Sequence, residues 1–135
     1  MSAFSNIPPQ AVLPLGAYDR NELQRAASRA DQTLLHSNCD GTRDKKAVLT
    51  RLGEDLKLPD YYGRNLDALY DCLTDLQPNK EADRPGFVVI LENLPESSGF
   101  DSGDRSRLLD VFRDAADFFY EENTAFRVFY SVRKT

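Results

Sequence analysis

Cysteine and histidine are scarce: the 135-residue chain has two of the first and one of the second. Together they fall short of the four ligands of a structural zinc site. With no signal-peptide pattern ahead of them, Cys39 and Cys72 are expected as two reduced thiols rather than a disulfide framework. Long apolar runs are missing as well. The longest unbroken one, residues 87–91, is far short of the ~20 residues of a membrane helix, so no span is expected. No lysine or arginine precedes Arg20, and Pro8, Pro9 and Pro14 interrupt any signal-like stretch, which points to the cytoplasm. A Gly-rich phosphate loop is absent: Ser97-Ser98-Gly99 and Ser102-Gly103 lack the strand, lysine and spacing it needs. Positive charge is in deficit, with 17 Lys and Arg against 22 Asp and Glu, a net charge of -5 and a pI near 4.9. Such a field disfavours nucleic acid, which calls for clustered cations, and favours a basic partner. The same modest charge also serves plain solubility.

What is present is the composition of one soluble globular domain, 41% hydrophobic and 29% charged. Residues 1–18 are rich in proline and small residues and read as an extended or mobile N-terminal segment; residues 19–135 read as a single domain. Asp19 or Asn21 can cap a short helix on which Leu23, Ala26, Ala27 and Ala30 recur at helical spacing. Leu34 and Leu35 lie in a first strand that ends in the turn-forming Asn38-Cys39-Asp40-Gly41. From Asp44, Ala47, Val48, Leu52 and Leu56 predict a longer helix that Pro59 stops. Another follows Asn65, with Leu66, Leu69, Leu73 and Leu76 on one face and Cys72 beside them. Residues 86–91 form a continuous apolar run, as in a strand buried on both faces. Residues 93–103 read as a loop leading to a last helix bearing Leu108, Leu109, Phe112, Ala115, Ala116 and Phe119. Phe126 to Val132 predict a terminal strand. Strands alternating with helices imply parallel, right-handed crossovers: an α/β fold, a small three-stranded parallel sheet flanked by helices in α/β/α layers.

The chemistry concentrates in residues 58–75, LPDYYGRNLDALYDCLTD. On the helix after Asn65, the residues Asp67, Tyr70, Asp71, Thr74 and Asp75 stand at i, i+3, i+4, i+7 and i+8, hence on one face and away from the leucines. Stacked carboxylates repel one another by a few tenths of a kcal/mol per pair, so the stripe invites an explanation. A solvated surface is the plain one. Tyr61, Tyr62 and Gly63 just before it favour a binding face, although either tyrosine is compatible with the core. Asp67, Asp71 and Asp75 as Mg²⁺ ligands are disfavoured, because a single helix spreads them too far apart to converge on one ion. His36 with Cys39 as base and nucleophile is disfavoured too, since a lone histidine in a strand is more often structural.

The segment LPDYYGRNLDALYDCLT resembles the central motif of the barstar family, intracellular protein inhibitors of small secreted microbial ribonucleases of the barnase kind. Residues 108–115, LLDVFRDA, resemble that family's last inhibitory helix, and the order of elements from about Thr33 onward fits; the first ~32 residues are not covered. The resemblance implies a barstar-like fold without catalysis, in which an acidic helix and its preceding loop plug a ribonuclease active site. It further implies that Asp71 imitates an RNA phosphate, assisted by Tyr61, Gly63, Asn65, Leu66, Asp67 and Thr74, with Asp114 supplying an acid from the later helix. Tyr70 and Asp75 complete the expected partner-binding set. Tyr70 stands where the family's best-known member has Trp, Asp75 and Leu76 replace Gly-Trp, and Asp114 is one methylene shorter than Glu. Phe118 occupies a second acidic position, and Arg64 puts a cation where that member has an acid. The expected partner is a small basic ribonuclease, with no cofactor, metal, nucleic acid or membrane involved and a monomer when free. The alternative is a binding or regulatory module of the same fold for a different basic partner.

Overall fold

The computed structural model describes residues 4, 6–59 and 62–133, the side chain of Ala17 apart. Four strands are present: β1 (Gln10–Pro14), β2 (Thr33–Asn38), β3 (Gly86–Pro95) and β4 (Ala125–Arg133). The helices are α1 (Arg20–Arg29), α2 (Lys45–Asp55), α3 (Leu66–Thr74) and α4 (Ser102–Glu121). Each helix opens on a side-chain cap. Asp19 accepts from the Asn21 N–H, Asp44 from Ala47 and Asn65 from Ala68, each at 2.8 Å. Asp101 and Asp104 cap α4 reciprocally.

The sheet runs β1-β4-β3-β2 with every pair parallel. Alternation along β3 sorts the layers. Phe87, Val89 and Leu91 face the leucine-rich side of α2, α3 and α4, whereas Val88 and Ile90 face Leu23, Ala26 and Ala27 of α1. The α/β/α layering is therefore present, but with four strands rather than three. The added strand comes from the N-terminal segment. Gln10–Pro14 pairs with residues 126–130 along the outer edge of β4, a position where Pro14, which has no N–H to give, is tolerated. Phe4, Ile7 and Ala11 then bury themselves in the α1-side core.

A second departure concerns residues 93–95. They continue β3 beyond an irregularity between Leu91 and Leu94, rather than starting a loop. Asn93 takes a left-handed φ of 59° there, its N–H donates to Ser131 Oγ at 2.9 Å, and its side chain donates to Asn38. Asparagine accepts that backbone more readily than most residues, so strand pairing resumes after it. Among the described residues no helix is long and apolar enough to cross a membrane.

Candidate partner-binding surface

The loop before α3 is held by α2. Tyr62 lays its ring against Gly53, where a Cβ would come within 2.9 Å of it, and its hydroxyl donates to the Leu49 carbonyl at 3.1 Å. Burial pushes the phenol up to about 12. Tyr62 is thus a half-buried anchor; Tyr61 lies outside the described residues. Gly63 is exposed, Arg64 takes a left-handed φ of 55°, and Asn65 spends its side-chain oxygen on the cap of α3.

Along α3, Leu69, Cys72 and Leu73 are buried in the core, while Asp67, Asp71 and Asp75 are exposed and Tyr70 and Thr74 half-buried. The Thr74 hydroxyl donates back to the Tyr70 carbonyl at 3.0 Å. Asp75 is the C-cap, where a carboxylate meets the negative end of the helix dipole. Asp71 stands mid-helix.

Helix α4 packs beside α3, and the two enclose an open groove of about 780 Å³. It brings together Leu66, Asp67, Tyr70 and Asp71 from α3 with Asp114, Asp117 and Glu121 from α4, over Val111 and Phe118. Gly63, Asn65, Thr74 and Asp75 do not line it; Thr74 lies in a separate cleft with Leu76 and Phe118. Asp117 and Glu121 are additions to the expected set. Their signal was available, because Asp114, Asp117 and Glu121 follow at i, i+3 and i+7 on a helix, but nothing in the sequence states that this face meets α3.

The groove is acidic and uncompensated. The carboxylates of Asp67, Asp71, Asp114 and Glu121 have no hydrogen bond or ion pair among the described residues, and that of Asp117 accepts only from the Gln10 amide. The nearby Arg113 is taken by Asp110 at 2.8 Å. Five carboxylates over an aromatic floor of Tyr70 and Phe118 can receive guanidinium and ammonium groups with paired, charge-assisted hydrogen bonds.

Elsewhere the candidate nucleophile is shut away from solvent. Cys39 is fully buried and burial pushes its thiol up to about 11, with Ser37 Oγ at 3.9 Å as its contact. His36 turns instead to Glu92, which also accepts from Arg20 at 3.0 Å. Cys72 is likewise an unpaired, buried thiol. Among the described residues no three Asp, Glu, His or Cys side chains converge closely enough to hold a metal ion.

Against known proteins, residues 32–131 match the profile of the family described as Barstar (barnase inhibitor). The chain belongs to the barstar family. A protein of Bacillus subtilis (strain 168) named "Putative ribonuclease inhibitor YrdF" is 38% identical over 71 residues, 53% of this chain and 71% of that protein. The barstar match runs from just before β2 into β4. It contains both walls of the acidic groove and leaves β1 and α1 outside, so the fourth strand is an addition to the matched barstar portion.

Proposed function

We propose that this barstar-family chain inhibits a small basic microbial ribonuclease, seating the acidic groove between α3 and α4 on the enzyme's phosphate-binding site. The observation that carries this reading is the cluster of five carboxylates, Asp67, Asp71, Asp114, Asp117 and Glu121, lining one groove without a cation of the chain's own. Asp71 occupies the position of an RNA phosphate, accepting paired bonds from the enzyme's arginine and lysine. Asp67 and Asp114 flank it, and Tyr70 packs beneath. Tyr61, Gly63, Asn65 and Leu66 let the loop approach closely, and Thr74 and Asp75 extend the contact toward the C-terminal end of α3. The chain is an inhibitor and not an enzyme. It acts in the cytoplasm, as a monomer until it meets its target, and requires no cofactor. Opposite fields steer the encounter, a relation for which barnase and barstar are themselves the reference pair.

Competition tests the placement. The ribonuclease complex, isolated by size exclusion, is expected to exclude a guanosine mononucleotide that the free enzyme binds, and to weaken steeply as salt rises. A ternary complex holding both nucleotide and inhibitor would reject phosphate-site occupancy. Arg64, a cation in the loop that leads into the acidic helix, would meet the basic rim of such an enzyme with like charge, and so favours a second reading in which the groove serves a different basic partner that keeps its cations away from this loop.

A further inference from the structure

On the other side of Leu66 from the acidic groove lies a smaller, more enclosed pocket of about 340 Å³. Its walls are apolar. Val48, Leu49, Phe100 and Leu108 are each under a tenth exposed, and Leu66 forms the shared partition. Its rim is cationic: Lys45, Lys46, Arg64 and Arg107 surround it, with Asp104 as the one acid among the lining residues. A chain of net charge -5 has gathered four like charges around one apolar pocket, and mutual repulsion opposes that arrangement unless an anion offsets it.

Asp104 cannot be that anion for all of them. One of its oxygens accepts from Arg107 at 2.7 Å and faces Lys45 at 3.8 Å, and the other accepts the Asp101 N–H at 3.0 Å in the α4 cap. Those bonds, the backbone one first, hold its carboxyl below the usual range, so it is a committed structural anion. The side chains of Lys46 and Arg64 have no ion pair or hydrogen bond among the described residues. Arg64 is also held on the rim by a left-handed backbone, φ 55°, that a non-glycine residue seldom adopts.

We infer that this pocket binds a small organic anion, one carrying a phosphate or carboxylate on a compact apolar body. The body fills the cavity between Leu49, Phe100 and Leu108, and the anionic group is gripped by Lys46 and Arg64 with Lys45 and Arg107 alongside. The dimensions and lining are those of small-molecule sites, a mostly apolar cavity with a few convergent polar groups. Neither half of the ligand suffices. A bare anion leaves the apolar walls wet, and an apolar body alone leaves the cations unpaired.

Phenyl phosphate is the probe, with inorganic phosphate and benzyl alcohol as its two halves, followed by amide chemical shifts of the full chain. Phenyl phosphate is expected to give saturable shifts at Leu49, Arg64, Phe100 and Leu108, at least about tenfold tighter than either half. The double variant Lys46→Glu, Arg64→Glu is expected to abolish those shifts while melting no lower than the wild type, since both side chains are exposed and the repulsion among the rim cations is relieved; Lys46→Gln, Arg64→Gln serves if charge reversal perturbs folding. Absence of saturable shifts at millimolar phenyl phosphate, equal affinity for inorganic phosphate, or binding unchanged in the variants would each overturn the site. Because the probe is read directly, this result does not depend on whether any ribonuclease is inhibited.

Discussion

Asp71 is exposed mid-helix, between neighbours of its own sign, and no cation among the described residues pairs with it, so its carboxylate contributes nothing to folding that water would not supply. Asp71→Ala is therefore expected to leave stability within about 0.5 kcal/mol of wild type, read from a thermal melt, while inhibition is lost. A strongly shifted melt would place the side chain in a structural role. The two thiols behave in the opposite way. Burial pushes Cys39 up to about 11 and also raises Cys72, so neither should react with an aromatic disulfide reagent at pH 8 until denaturant is added, when two should. Glu92 titrates in the contrary direction: burial works to raise it, but the hydrogen bonds and charges of His36 and Arg20 outweigh that and hold it low. Its contribution is thus complete above the unfolded carboxyl value of about 4.3 and disappears as pH falls through the lower folded value. Glu92→Gln should flatten that part of a urea-denaturation profile across acidic pH. At this scale residue types were legible, whereas partners were not, since residues 36 and 92 meet only through strand pairing.

Helix α3 is legible in the sequence because three signals coincide: an asparagine cap, leucines at helical spacing and an acidic face opposite them. Asn65 serves the helix as well as the surface, and Asn65→Ala should cost about 1 kcal/mol through the lost cap, with Asn65→Asp retaining most of it. Comparing equilibrium unfolding of the two separates the structural contribution from any loss in binding. The second wall of the groove was less legible. Asp114 is legible through the family resemblance, whereas Asp117 and Glu121 are not, because only the packing of α4 on α3 makes their face part of the same surface. The β3 bulge is illegible for a related reason: Asn93 two residues before Pro95 looks like a loop, and only Ser131 on β4 shows why pairing resumes. Close strand approach also has a testable point at Gly86, where a Cβ would lie 2.7 Å from the Ala125 Cβ and 2.9 Å from its carbonyl oxygen. Gly86→Ala must push β3 and β4 apart at their start and should destabilise by about 2 kcal/mol, read as a lowered urea midpoint.

Across the whole molecule, alternating strands and helices disclosed the parallel α/β architecture, and a specific motif disclosed the family. The fourth strand stayed hidden, since a five-residue strand ending in proline carries little periodicity and its reason for existing is non-local. It covers the edge of β4 and brings Phe4, Ile7 and Ala11 onto Phe129 and α1. Removing residues 1–18 should consequently cost about 3 kcal/mol or more in urea denaturation, the scale of burying a few apolar side chains. The same view sets two pockets of opposite charge on either side of Leu66, an acidic groove and a cation-rimmed pocket. The acidic groove carries the central claim. The most direct measurement is RNA cleavage by several small basic guanyl-specific microbial ribonucleases, titrated with this chain and with Asp71→Ala. Stoichiometric inhibition of at least one enzyme by the wild type, abolished in the variant, is the predicted result. Equal inhibition by the variant, or no inhibition of any of them by the folded wild type, would contradict the account.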